Sequence, residues 1–227
     1  MFKSMTLANH ILPFLQNLKI EATIPRGIEV LNPYQQPEVV ELCTRFYTQY
    51  YNDTNPRTLI IGINPGRFGG GLTGIPFTDP IRLQQVCGIE NHLSKKPELS
   101  SEFIYLVIAA FGGVEKFYSK FYFTSVSPLG FTQNKKNLNY YDNPVLQKRL
   151  KPFMTTCMHT QLNWGLKTKT AFCLGEGDNF KFLGNWNKEE KFFEEIIPLP
   201  HPRFVMQYKR RQLDKFINVY LNTLKHT

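Results

Sequence analysis

The sequence predicts an α/β protein, a single-domain three-layer α/β/α sandwich with a mainly parallel central sheet. Apolar runs alternate along the chain with segments of helical periodicity, which is the pattern of strands joined by crossover helices. The apolar runs are continuous, which is typical of strands buried on both faces. The 227 residues show no internal repeat and no linker. We therefore expect one domain over residues 1–227.

The first part of the chain predicts two helices and one buried strand. Residues 6–18 form a short amphipathic pattern that breaks near Pro13, because proline removes a helical hydrogen bond. Residues 37–51 carry apolar side chains at helical spacing. That apolar face consists of Val39, Leu42, Cys43, Phe46 and Tyr50. Residues 26–37 predict a loop, and the apolar run 59–63 predicts the first strand.

Later elements have clearer boundaries. Asp79 is a predicted N-cap with Pro80 at the first helical position. A helix over 98–111 is stopped by Gly112-Gly113. The polar segment 134–143, rich in Asn and Lys, predicts an exposed loop. The remaining predicted strands are 121–127, 170–174 and 196–201, and the remaining helices are 144–164 with a kink or restart at Pro152, 188–195 and 207–224.

Polar residues stand where the predicted strands end. Asn64 follows the first strand, Ser125 and Ser127 close the second, and His201 closes the last. Ligands of open α/β sheets bind at the carboxyl ends of the strands. If the strands are parallel, Asn64, one of the two serines and His201 line one cleft.

A glycine-rich loop follows the first strand. Pro65 disfavours the helical region for Asn64, so an amide is expected in extended backbone at the strand end. The glycines from Gly66 onward have no side chains, so a ligand can approach the backbone closely. Neither Gly-Lys-Ser/Thr nor a GxGxxG that opens a helix is present. These absences argue against a nucleotide-binding or NTP-hydrolysing protein.

The charge balance points to a polyanionic partner. The formal net charge is +9, from 27 Lys and Arg against 18 Asp and Glu. Nucleic acid is the leading candidate, and a solvated basic surface is the alternative.

The cysteines give no sign of a metal site. The four cysteines are far apart and form no CxxC pair, so neither zinc nor an iron–sulfur cluster is expected. Cys43, Cys157 and Cys173 fall in predicted elements and are interpreted as reduced core residues, which suits the cytosol. The N-terminus lacks a continuous apolar segment, and no run is long enough to span a bilayer.

Four segments of the chain, in this order, resemble the uracil-DNA glycosylase superfamily. They are Gly62-Ile63-Asn64-Pro65-Gly66, Thr73-Gly74-Ile75-Pro76-Phe77, Ser127-Pro128-Leu129 and His201-Pro202. Their order and spacing agree over about residues 57–212, and the resemblance is greatest to a bacterial branch of the single-strand-selective monofunctional uracil-DNA glycosylases. It implies a cytoplasmic base-excision repair enzyme that hydrolyses the N-glycosidic bond of a flipped-out deaminated base and leaves an abasic site. Uracil, hypoxanthine and xanthine are the candidate bases, and no cofactor is implied.

The resemblance also implies roles for individual residues. Asn64 would position the attacking water, Phe77 would stack on the extruded base, and His201 would bind the base carbonyl that gains negative charge. The implied substrate-binding set is Gly62, Ile63, Pro65, Gly66, Phe77 and Ser125. Ser125 stands where the family has a uracil-reading Asn, and a shorter serine leaves room for a larger base. Structural alternatives stay open for these residues. Asn64 could be an Asx-turn residue that caps the loop, and Phe77 could pack in the core. The hydroxyl of Ser125 or Ser127 could be buried and bonded to a neighbouring backbone group.

Basic and aromatic residues complete the expected DNA surface. Arg203-Phe204 replaces the Ser-Pro that follows the His-Pro pair in the family. Phosphate binding is expected from the cations, and a wedge into the stack from Phe204, Met206 or Tyr208. The predicted DNA-binding residues are Arg67, Arg203, Phe204, Lys209, Arg210 and Arg211. The protein is expected to be a monomer, and its expected partner is single- or double-stranded DNA. The alternative function is a non-catalytic nucleic-acid-binding module with the same fold.

Overall fold

The computed structural model describes residues 5–225 and contains two sheets. The strands are β1 (Ile28–Leu31), β2 (Thr58–Gly62), β3 (Phe121–Ser125), β4 (Gly130–Gln133), β5 (Lys136–Leu138), β6 (Lys167–Leu174) and β7 (Glu195–Leu199). One sheet has four parallel strands in the order β3-β2-β6-β7, and the other has three antiparallel strands in the order β1-β4-β5.

Helices connect the parallel strands. They are α1 (Leu7–Gln16), α2 (Pro37–Tyr51), α3 (Gly70–Thr73), α4 (Pro80–Gln85), α5 (Leu99–Phe111), α6 (Val114–Tyr118), α7 (Pro144–Leu162), α8 (Asp178–Glu190), α9 (Pro202–Tyr208) and α10 (Leu213–Leu224), and short 3-10 turns cover Pro33–Gln35 and Arg210–Gln212. The predicted α/β sandwich with a parallel central sheet is confirmed. No helix within residues 5–225 combines the length and the apolar character that a membrane span requires. The N-terminal segment considered above includes residues 1–4, which lie outside this range.

The parallel sheet is covered on both faces, which explains the continuous apolar runs. On one face Phe123 packs against Phe117 of α6, with ring centroids 5.6 Å apart. On the other face the Thr124 hydroxyl donates a hydrogen bond to Gln161 of α7 at 2.7 Å. Every residue of β2 and β3 is buried.

The register aligns the carboxyl ends of the parallel strands. Gly62 at the end of β2 lies opposite Ser125 at the end of β3, and Leu174 of β6 lies opposite Leu199 of β7. Residues that follow these strands therefore meet at one edge of the sheet, as the sequence predicts.

The antiparallel sheet was not predicted. Residues 26–37 contain β1, and residues 134–143 contain β5. Asn134 and Lys135 both have positive φ, 50° and 59°, and form the two-residue turn between β4 and β5. These strands have only three or four residues each, and β5 is mostly exposed, so no apolar run marks them.

Several predicted boundaries were also wrong. α1 continues through Pro13 without a break, and α7 continues through Pro152 without a restart, because each helix is anchored by buried side chains on both sides of its proline. α8 begins at Asp178, ten residues before the predicted start of that helix. The predicted helix 207–224 consists of the end of α9, a 3-10 turn and α10.

Gly130 is where β4 crosses the turn that follows β2. A Cβ atom at Gly130 would lie 2.3 Å from the carbonyl oxygen of Pro65, a backbone atom that cannot rotate away. Only glycine therefore lets the hairpin pack against the Asn64-Pro65 turn.

We expect Gly130→Ala to lower the free energy of unfolding by about 1–3 kcal/mol, the range for an overpacked interior. Gly184 in α8 is the matched control, since a Cβ atom there would meet no atom within 4 Å. Gly184→Ala should leave stability unchanged or raise it, because alanine favours helix. Urea unfolding of both variants measures this. Equal stability of the two variants would contradict the close contact at Gly130.

Candidate active site

A cavity of about 320 Å³ lies at the carboxyl edge of the parallel sheet. Its lining includes Asn64, Phe77, Ser125 and His201, which come from widely separated parts of the chain. The structure thus brings together the residues that the strand-end argument predicted. Ile63, Pro65 and Gly66 also line the cavity, beside Asn64.

The side-chain amide of Asn64 is held by the hairpin. Its Oδ1 accepts a hydrogen bond from the backbone N–H of Tyr140 at 2.9 Å, and its Nδ2 donates to the carbonyl of Leu138 at 3.2 Å. Both partners are backbone groups, so the amide has one favourable orientation. One lone pair of Oδ1 and one N–H of Nδ2 stay available to a water or a ligand.

Phe77 forms an aromatic wall of the cavity. Its backbone is left-handed, with φ of 54°, and its ring packs against Phe123 with centroids 5.3 Å apart. Gly62 makes room for this ring, because a Cβ atom there would lie 2.7 Å from Phe77 Cζ. Gly62 itself does not line the cavity, and it acts by lacking a side chain.

The two serines that end the second strand differ in position. Ser125 lines the cavity, and within residues 5–225 its hydroxyl has no hydrogen-bond partner and so must remain open to the solvent of the cavity. Ser127 is fully buried, and its hydroxyl donates to the carbonyl of Leu129 at 2.8 Å. Ser125 is therefore the serine available to a ligand, and Ser127 has the structural role of a buried hydroxyl.

His201 is the N-cap of α9 and not the last residue of a strand. Its Nδ1 accepts a hydrogen bond from the backbone N–H of Arg203 at 3.1 Å. The acceptor role of Nδ1 assigns the proton of the neutral ring to Nε2. Burial, and then the nearby Arg203 cation, lower the pKa of His201 from 6.5 to about 4. At neutral pH the side chain is an uncharged N–H donor.

The hairpin supplies a cavity wall that sequence reasoning missed. Asn137 of β5 lines the cavity together with Asn139 and Tyr141 of the turn that follows β5. The segment was interpreted as an exposed loop because it is polar. The signal in the sequence was the position of this polar segment, which follows the strand that ends near Ser125. Glu98 also lines the cavity, and its Oε2 accepts a hydrogen bond from the Ser101 amide as the N-cap of α5.

The predicted DNA-binding residues fall into two groups. Arg203 and Phe204 line the cavity, and Arg67 lies beside it with its backbone N–H bonded to Asn137 Oδ1 at 3.1 Å. Among the wedge candidates, Met206 is buried whereas Phe204 and Tyr208 are 42% and 72% exposed.

Three predicted cations lie outside the cavity lining. Lys209 sits over the Phe204 ring at 5.9 Å, Arg210 is paired with Glu102 at 3.2 Å, and Arg211 is exposed. The structure does not bring these three residues into the cavity.

The cysteines and acidic residues form no metal centre in the described chain. Residues 5–225 contain no group of three or more His, Cys, Asp or Glu that could hold a metal ion. All four cysteines are free and buried. Burial raises the pKa of Cys43, Cys157 and Cys173 to about 12, which keeps these thiols protonated.

Comparison with known proteins places the chain in a family. The family model of the uracil DNA glycosylase superfamily matches residues 48–225. A similar solved structure is wild-type SMUG2 of Pedobacter heparinus, with a TM-score of 0.95 and 45% identity over 98% of each chain. No curated protein matches the chain. Because the family match covers most of the chain, the protein belongs to the uracil DNA glycosylase superfamily.

Proposed function

We propose that this DNA glycosylase acts in base-excision repair by hydrolysing the N-glycosidic bond of a flipped-out deaminated base, leaving an abasic site. Family membership supports the glycosylase activity. The observation that carries the finer proposal is one cavity that holds a neutral histidine donor, an oriented amide and an aromatic wall. The damaged base has to leave the stack to enter such a site.

His201 is suited to stabilise the departing base. Cleavage of the bond leaves an oxocarbenium-like sugar and an anionic base, and the charge on the base develops on a carbonyl oxygen. A preorganised N–H donor stabilises that oxygen most when it needs no reorganisation. Because Nδ1 is fixed by the Arg203 amide, Nε2–H is the donor that His201 can present.

Asn64 is suited to orient the water that attacks the sugar. The free lone pair of Oδ1 can accept a hydrogen bond from that water. An amide does not act as a strong base, and the electrophilic sugar requires little base assistance. The hairpin hydrogen bonds fix the oxygen before substrate arrives, so little ordering is left for the reaction itself.

The base would lie against Phe77 with its polar edge toward Ser125. Stacking on the ring compensates for the stacking that the base loses on leaving the helix. The Ser125 hydroxyl has no hydrogen-bond partner within residues 5–225. It lies next to the Phe77 ring, since a Cβ atom at Gly62 would lie near both side chains.

A monofunctional reaction fits the lining of the cavity. No lysine within residues 5–225 lines the cavity, so no amine is positioned to form a Schiff base with the sugar. The product would be an intact strand with an abasic site, which alkali cleaves.

We expect His201→Ala to slow base release by about a hundredfold or more, as for the loss of one oxyanion donor. Asn64→Ala should slow release while DNA binding stays nearly intact. The measurement is single-turnover release from uracil, hypoxanthine and xanthine oligonucleotides, with abasic sites revealed by alkali. His159→Ala, on the surface beside Glu190, is the control.

If His201→Ala and Asn64→Ala both release the base at the wild-type rate, the active site is not the cavity that contains these residues. DNA binding by the wild type without base release would instead identify a non-catalytic nucleic-acid-binding module.

The lowered pKa of His201 predicts how the rate depends on pH. Since the folded pKa of about 4 lies below the ordinary 6.5, the ring stays neutral as the pH falls through 6.5. The single-turnover rate should not rise between pH 8 and pH 5, and it should fall near pH 4, where Nδ1 gains a proton that opposes the Arg203 N–H. A rate that climbs as the pH drops through 6.5 would show that the imidazolium is the active form.

Ser125 predicts a broadened choice of base. A carboxamide donates and accepts together and matches the edge of uracil, whereas serine has one rotatable hydroxyl and is shorter. We expect Ser125→Asn to raise the rate ratio of uracil to hypoxanthine and xanthine, because mismatched polar groups in the new site would stay unpaired. Ser125→Ala is the control for loss of the hydroxyl alone. An unmoved ratio in Ser125→Asn would exclude Ser125 as the reader.

A further inference from the structure

A second groove adjoins the active-site cavity and is basic. Its lining includes Arg67, Lys136 and Arg203, and it meets the cavity at Glu98, Asn137 and Arg203. The groove therefore starts where an extruded nucleotide would leave the cavity.

An aromatic ring holds two cations together at this groove. The guanidinium carbon of Arg67 lies 4.4 Å from the centroid of Phe68, and Nζ of Lys96 lies 5.2 Å from the same centroid. Two like charges repel each other, and the negative faces of a ring offset that repulsion at each cation. Phe68 thus favours the placement of these two cations near each other.

The cations that line the groove, and Lys96 beside it on the Phe68 ring, are available to a ligand. Within residues 5–225, Arg67, Lys96, Lys136 and Arg203 form no ion pair with a carboxylate. Glu98 is the acidic residue in the groove lining, and its Oε2 accepts the hydrogen bond from Ser101 that caps α5. Charge in the groove is therefore predominantly positive.

Another edge of the cavity is acidic. Exposed Glu176 and Asp178 follow β6 and line a recess that meets the cavity at Tyr141, His201 and Phe204. These carboxylates would repel a phosphate. The two edges of the cavity thus carry opposite charge.

We propose that the second groove binds the phosphodiester backbone next to the extruded nucleotide, and that Phe68 positions Arg67 and Lys96 for this contact. The proposal rests on the proposed function, since it takes the ligand to be DNA. Arginine and lysine contribute complementary contacts, because guanidinium binds phosphate oxygens in pairs and ammonium acts as a point charge. The backbone follows the basic edge and avoids the edge formed by Glu176 and Asp178.

The test is the salt dependence of binding to uracil-free oligonucleotides, single-stranded and duplex. Arg67→Gln and Lys96→Gln should each weaken binding to all sequences alike and reduce the slope of log K against log salt by about one unit. Glu176→Gln and Asp178→Asn are the matched controls and should not weaken binding. Unchanged slopes in Arg67→Gln and Lys96→Gln, or equal weakening by the acidic controls, would overturn the proposal.

The role of Phe68 needs its own variants. Phe68→Leu keeps both cations but removes the ring, and we expect about two- to fivefold weaker binding, in line with one cation–π contact. Phe68→Tyr keeps the ring and should bind as the wild type does. In the Lys96→Gln background the effect of Phe68→Leu should shrink. Equal loss in Phe68→Leu and Phe68→Tyr, or an undiminished effect in that background, would contradict the positioning role.

Base release by the wild type separates this proposal from the function on which it rests. If the wild type releases the base but Arg67→Gln and Lys96→Gln leave the salt dependence unchanged, only the proposal about the groove is overturned. Changed slopes without any base release would support the groove as a nucleic-acid site and overturn the glycosylase proposal.

Discussion

Hydrogen bonds of the Asn64 side-chain amide join the parallel sheet to the antiparallel hairpin, and the geometry of the cavity depends on them. Two backbone groups of the hairpin, the Tyr140 N–H and the Leu138 carbonyl, hold the amide at the end of β2. The same hairpin carries Asn137, Asn139 and Tyr141 into the cavity wall. These two hydrogen bonds therefore orient the Asn64 amide and join the hairpin segment to the cavity.

Charge is distributed so that the cavity holds a neutral donor while the surface beside it is cationic. Burial and the neighbouring Arg203 keep His201 uncharged, and the Arg203 amide selects its tautomer. Arg203 thus acts on the histidine through its backbone and its charge, and it lines both the cavity and the basic groove. Under the proposed function, a departing anionic base would meet an oriented dipole, and the phosphates would meet the cations.

The sequence predicted best those features in which one pattern marks both a structural element and the site at its end. Strands buried on both faces produce continuous apolar runs, so the parallel sheet and the positions of Asn64, Ser125 and His201 at one edge were predictable. The choice between Ser125 and Ser127 was not, because it depends on which hydroxyl finds a carbonyl, here that of Leu129. The hairpin was missed because both of its strands are short and β5 is mostly exposed. Likewise, Arg210 pairs with Glu102, which lies 108 positions away in the chain, so no local sequence pattern could predict this pair.

The most direct test of the account is a crystal structure with DNA whose uracil nucleotide carries a 2′-fluorine, which slows cleavage by disfavouring positive charge on the sugar. The account predicts the base on the Phe77 ring, a base carbonyl within hydrogen-bond distance of His201 Nε2, and a water on Asn64 Oδ1 with both hairpin hydrogen bonds intact. A base bound outside the cavity, or an Asn64 amide turned away from Tyr140 and Leu138, would contradict it.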